Sequence, residues 1–190
     1  MNLTLAFDTS GRHCAAALLK DGVMIGGLSE DMARGQAERL MPLLQDVLSS
    51  AGYDWADLTA IGVGVGPGNF TGIRISVSAA RGLALALGVP AVGVSTFEAT
   101  SFDHPAPHVP TVAAPRDQVY AVLPGKAPAL FETLSTDLPV IAPPSPMKLV
   151  ENMARIAETR ADKAPGRPAP LYIKAADAAP PRDPAPVILP

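Results

Sequence analysis

The stretch from Ile61 to Gly88, IGVGVGPGNFTGIRISVSAARGLALALG, constrains the fold more than any other part of the chain. Ile61–Val65 is a short run of apolar residues and glycine closed by turn residues, the pattern of a buried strand. Gly66 to Phe70 follows as a tight loop, because Pro67 locks φ at a turn value and Gly66 and Gly68 accept φ > 0 on either side. From Thr71 the spacing predicts a helix of about four turns, with Asn69 or Thr71 able to accept from an unpaired first-turn N–H.

Strand, glycine turn and helix N-terminus together are a frame on which phosphate is often held, since free N–H groups and the helix dipole favour an anion. The spacing argues against that use. GxGxxG needs a third glycine, yet Gly62-x-Gly64 leads to Pro67 and Gly64-x-Gly66 leads to Asn69. A Walker loop continues Gly-Lys-Ser/Thr, and here Gly72 is followed by Ile73. The loop reads as structural, presenting the helix behind it.

With 190 residues and 48% hydrophobic content the chain suits one domain or two small lobes around a well-buried core. A net charge of −3 supplies no global field for nucleic acid or anionic lipid. The lone cysteine, Cys14, excludes an internal disulfide and a multi-cysteine zinc site and agrees with a reducing cytoplasm. No signal peptide is read in MNLTLAFDTS, and no uninterrupted apolar run reaches membrane-spanning length. Proline divides the chain sharply: 18 of the 21 prolines lie at or beyond residue 105, whereas 14 of the 16 glycines precede it. The boundary is drawn at 102–108, separating an N-terminal lobe, 1–102, from a smaller proline-rich part, 103–190.

Leu3–Phe7 reads as a central strand ending in the polar turn Asp8-Thr9-Ser10-Gly11. Cys14–Leu19 and Val23–Leu28 read as a hairpin across Asp21-Gly22, a type I′ signature. From Gln36 to Ala51, Leu40, Leu43, Leu44, Val47, Leu48 and Ala51 recur at helical spacing, and Pro42 makes this helix begin late or kink. After the central unit, Ala91–Val94 is a fifth strand, and Ser95 with Glu98 forms a capping-box pattern opening a helix. The first lobe is therefore βββαβαβα. In the second part Val109–Ala114 and Gln118–Leu123 read as strands, Ala129–Leu134 as a third, and Pro146–Arg160 as an amphipathic helix. The last 26 residues hold 8 prolines and read as mostly irregular tail.

Candidate chemistry is sparse. Asp8, Thr9 and Ser10 end the first strand, where an α/β fold presents functional groups, and this turn either grips a phosphate or magnesium-bound water or is a polar turn satisfying its own backbone. His104 and His108 have helical metal-ligand spacing, but the intervening prolines forbid a helix. His13 and Cys14 point to opposite faces of a strand, and Cys14 reads as buried and inert. The basic residues Arg155, Arg160, Lys163, Arg167 and Lys174 are interrupted by Glu151, Glu158 and Asp162, so no RNA-binding cluster emerges. What the central helix does hold is small residues, with Leu83 and Leu87 on one stripe with Ser76 and Ala80, and Arg74, Ser78, Arg81 and Leu85 on another. A stripe mixing arginine with small and apolar groups suits a protein interface.

The segments DTS at 8–10, QAERLMPLL from Gln36, the run from Ile61 to Ala99, QVYAV from Gln118 and PLYIK from Pro170 resemble the TsaB (YeaZ) family, strongly over residues 3–99 and thinly beyond. GPGNFTGIR is the most specific part. The resemblance implies an actin-like ATPase (ASKHA) α/β fold with a shortened second lobe, and a non-catalytic scaffold for TsaD in forming threonylcarbamoyladenosine at position 37 of ANN-decoding tRNAs. TsaD would form a heterodimer with the chain, TsaE would join a ternary assembly, and the chain alone would form a homodimer. No cofactor and no membrane are expected, and tRNA is contacted at most indirectly. The implied interface is Leu40, Leu44 and Val47 on the first helix with Gly72, Arg74, Ser76, Ala80, Arg81, Leu83 and Leu87 on the second. The chain departs from the family at Gln36-Ala37, where His-Ser is common, and at Ala113, where an Asp opens the second lobe. The competing reading is an enzyme of the same fold, a small-molecule kinase or a glycoprotease-like hydrolase.

Overall fold

The computed structural model describes residues 1–163 and 165–173. Its larger sheet has five strands: β1 (Leu3–Asp8), β2 (His13–Lys20), β3 (Val23–Asp31), β4 (Ala60–Gly64) and β5 (Ala91–Val94). They lie in the order β3-β2-β1-β4-β5. β1 runs parallel to β4 and antiparallel to β2, and β4 runs parallel to β5. β1 and β4 are buried along their whole length, which is why they carry continuous apolar and glycine runs without alternation. The hairpin turn at Asp21-Gly22 has φ of 47 and 78°, the positive pair that a type I′ turn requires.

Two helices cover one face of this sheet: α1 (Gln36–Ser50) and α2 (Phe70–Leu87). Leu3, Leu5 and Phe7 meet Leu40, Leu44, Ile73 and Val77 in the core beneath them. Pro42 does not delay α1. Pro42 and Glu38, whose carbonyl loses its N–H donor, both lie on the exposed side, so the lost bond is not one of the buried ladder. α2 starts at Phe70, and Asn69 rather than Thr71 caps it, Oδ1 accepting from Gly72 N at 2.9 Å. α2 is 18 residues long with a mean hydropathy of 1.2, apolar enough by composition for a membrane span, yet its inner stripe packs on this sheet.

α3 (Thr96–Ser101) begins at the Ser95–Glu98 capping box read from the sequence. A second sheet holds β6 (Val109–Ala113), β7 (Val119–Ala121), β8 (Ala129–Phe131) and β9 (Val140–Ile141), ordered β8-β7-β6-β9. β9 went unread in the sequence because two residues carry no periodicity. α4 (Pro146–Arg160) follows the division expected at 102–108 in sequence but packs on the larger sheet. Its stripe of Leu149, Val150, Met153, Ile156 and Ala157 packs on Ala6, Ala15, Ala17, Leu19 and Val92, closing the opposite face of the larger sheet. The alanine-rich face of β1 and β2 is what lets the α4 backbone approach. Much of the expected tail, 174–190, lies outside the described residues.

Candidate functional site

The end of β1 is the natural place for chemistry, and the structure shows how its side chains are used. Asp8 is fully buried. Its Oδ2 accepts from Ser10 N at 3.1 Å and Ser10 Oγ at 2.9 Å, and lies 2.8 Å from His13 Nε2. Its Oδ1 has no partner and rests against Gly64, where a Cβ would overlap it. Thr9 Oγ1 donates to the carbonyl of Gly72 at 2.7 Å, and Asn69 N donates to the carbonyl of Ser10 at 2.7 Å. A Cβ at Gly72 would collide with the Thr9 carbonyl. The glycines of the central stretch thus serve close approach between loop and strand end, and of the three candidates Asp8, Thr9 and Ser10 only Ser10 reaches open space.

His13 was expected only to point away from Cys14, and its partner was missed. The register supplies it: Asp8 pairs with Ala15, so His13, two residues earlier on β2, shares the face of Ala15 and Asp8. That register belongs to the β1–β2 pair, so the nearest sequence signal was the polar turn at 9–12 that joins the two strands. Cys14, on the other face, is buried, and burial, then the nearby Glu30 carboxylate, pushes its thiol up to about 11.

Beyond the strand end opens a cleft of about 940 Å³ between the carboxyl end of the larger sheet and the second sheet. Ser10, Arg12 and His13 floor it, Gly35 and Gln36 at the start of α1 form one side, and Ala113 with Tyr120 of the second sheet face them. The two positions at which the chain departs from the family it resembles, Gln36-Ala37 and Ala113, are both on this lining. Among the described residues no three His, Cys, Asp or Glu side chains are grouped to hold a metal ion. His104 and His108 stack edge to face at 6.0 Å between ring centres in a connector.

The candidate interface residues separate into two sets. Leu40, Leu44, Val47, Gly72, Ser76 and Ala80 are buried within the chain's own core. They share helix spacing with the surface residues, but the sheet takes that stripe. Arg74 and Arg81 are exposed and Leu83 and Leu87 half-buried, so these four alone of the ten reach a surface. Leu85 stands out beside them at 86% exposed. α2 carries two arginines and no acidic residue. Near its start the 165–173 segment lies across the loop: Leu171 N donates to Val65 O at 2.8 Å. Tyr172 stacks on Phe70 at 4.8 Å and accepts from Arg74 Nε at 2.9 Å. Arg155 and Arg160 pair with Glu151 and Glu98, which removes them from any basic patch.

Comparison with known proteins gives consistent results. A family model described as TsaD: tRNA N6-adenosine threonylcarbamoyltransferase matches residues 24–163. The tRNA threonylcarbamoyladenosine biosynthesis protein TsaB of Escherichia coli is 41% identical over 93 residues, 49% of this chain and 40% of that protein. A tRNA N6-adenosine threonylcarbamoyltransferase of Erythrobacter litoralis is 38% identical over 114 residues, 52% of this chain and 33% of that protein. The chain thus spans less than half the length of these relatives. Among solved structures, a Pseudomonas aeruginosa protein described as similar to peptidase YeaZ superposes with a TM-score of 0.75 at 25% identity, covering 92% of this chain and 100% of that one.

Proposed function

The chain belongs to the TsaD, tRNA N6-adenosine threonylcarbamoyltransferase family, on its TsaB (YeaZ) branch, and from that premise we propose that it is a non-catalytic subunit supporting TsaD in forming threonylcarbamoyladenosine on tRNA. The observation that carries this reading is the fate of Asp8. The carboxylate that an actin-like ATPase would turn towards its cleft is here buried and bound by Ser10 and His13, and Ala113 stands on the facing wall. Among the described residues the one carboxylate on the lining is Glu38 on the α1 side, and none stands at the Ala113 wall or turns out from the end of β1 to position a nucleotide's metal, which supports a contribution made through a surface.

The surface best suited to TsaD is the outward stripe of α2, Arg74, Ser78, Arg81 and Leu85, while Leu83 and Leu87 lie half-buried on the stripe that turns to the core. An exposed leucine flanked by arginines on an acid-free helix is the composition of an interface core with a cationic rim. TsaE joins this pair, tRNA is held by the partner, and in the absence of TsaD the same stripe pairs two copies of the chain.

Co-expression with the cognate TsaD followed by size-exclusion chromatography with light scattering tests the reading. A stable heterodimer, and threonylcarbamoyladenosine formation by TsaD and TsaE that requires this chain, are expected. Two folded proteins that elute separately, or full modification without the chain, would overturn it.

A further inference from the structure

We propose that the cleft between the two sheets binds a small organic anion of single charge with a planar apolar body. Its volume of about 940 Å³ falls in the range of small-molecule sites, which are mostly apolar with a few converging polar groups. Ile75, Val112, Pro115, Tyr120, Pro143 and Pro144 supply the apolar walls.

The charged groups on the lining are predominantly cationic. Arg12 and Arg34 line the cleft, neither paired with a carboxylate among the described residues, against Glu38 as the one acid on the lining. His13 is 9% exposed on the floor, and with Nε2 turned to Asp8 its Nδ1 has no partner among the described residues. The first turn of α1 opens on the same space. Gly35 takes φ of 92° and brings no side chain to cap it, and the place of its missing Cβ is empty. Two guanidiniums, an unpartnered imidazole nitrogen and uncapped N–H groups favour an anion.

The strand-end turn sets the charge. Ser10 N is taken by Asp8, Asn69 N by the Ser10 carbonyl, and Gly72 N by Asn69 Oδ1. Three backbone donors of the strand-end turn and loop are therefore already bonded and are withdrawn from any chain of phosphates. What remains suits one carboxylate, sulfonate or comparable group at the arginine side, with a flat apolar body against the proline and tyrosine wall.

The aromatic sulfonate 1-anilinonaphthalene-8-sulfonate has this chemistry and reports burial by fluorescence. Titrated into the folded full chain, it should bind saturably with one site. Its uncharged counterpart N-phenyl-1-naphthylamine should bind at least about tenfold more weakly. The double variant Arg12→Glu/Arg34→Glu should weaken the sulfonate by a similar factor, and Ala113→Trp should fill the cleft and abolish binding. Lys126→Glu, on an exposed loop outside the cleft, makes a charge change of the same sign and should leave the affinity unchanged. Circular dichroism checks the fold of each variant. If Ala113→Trp does not fold, the charge variants and the probe pair decide. Absence of saturable binding, equal affinity for the two probes, or equal loss with Lys126→Glu would each overturn the proposal.

Discussion

His13 Nε2 stands 2.8 Å from Oδ2 of Asp8, so an imidazole from β2 occupies the carboxylate at the end of β1. The pair is almost wholly enclosed, and enclosure makes a lost partner costly. Truncating His13→Ala should destabilise the chain by about 1–3 kcal/mol, because Oδ2 keeps Ser10 but loses its closest ring donor. A double-mutant cycle with Asp8→Asn in urea denaturation checks it: additive losses from the two single variants would show that the pair contributes nothing of its own.

The central stretch makes a sharper prediction through its glycines. A Cβ at Gly72 would overlap the Thr9 carbonyl, which is backbone and held by the sheet. Gly72→Ala should cost about 1–3 kcal/mol or more by overpacking. Gly82, about three turns further along α2, has nothing near its missing Cβ. Gly82→Ala should instead stabilise by about 0.5–1 kcal/mol, since alanine is the better helix former. Opposite signs from one substitution on one helix, read from urea midpoints, are the expected result.

That contrast marks how far the sequence could be read. The first lobe was legible because each element carried a local signal: the apolar run of β1, the Asp21-Gly22 turn, the Ser95–Glu98 box. The role of Gly72 was not, since glycine by itself gives no hint of which backbone it must approach. The same limit hid the Asp8–His13 contact, which is created by strand register. It also misplaced Ala80 and Ser76, because a helix rich in small residues has two candidate faces and only the sheet beneath decides which is inside. α4 was legible as a helix, but the sheet face it covers was not, since its strand partners lie more than fifty residues upstream.

Acid should loosen the contact between α3 and α4. Burial works to raise the Glu98 carboxyl, but hydrogen bonds from Ser95 N and Oγ and from Arg160 outweigh it and hold the group below its ordinary value. A depressed carboxyl contributes stability that is present above its unfolded value, near 4.5, and lost as pH falls through its lower folded value. Glu98 is 40% exposed and its bridge to Arg160 is open to solvent, so the effect is small. Urea midpoints from pH 6 down to pH 3 should fall less steeply for Glu98→Gln than for the natural chain. Parallel curves would assign the acid sensitivity to other carboxylates.

Association gives the decisive contrast along α2. Ala80 has no exposed surface, so Ala80→Glu places a charge in the core and should unfold the lobe whatever its partners do. Leu85 is 86% exposed and makes no comparable internal contact, so Leu85→Glu should leave the urea midpoint within about 0.5 kcal/mol of the natural chain. If the outward stripe meets TsaD, that same charge would be buried between Arg81 and an apolar partner surface, and truncating the leucine would remove the central anchor. The affinity for TsaD, measured by isothermal titration, should then drop at least tenfold, about 1.4 kcal/mol. A folded Leu85→Glu chain that binds TsaD as tightly as the natural one would move the interface off α2, leaving the buried Asp8 as the sole argument for a supporting role.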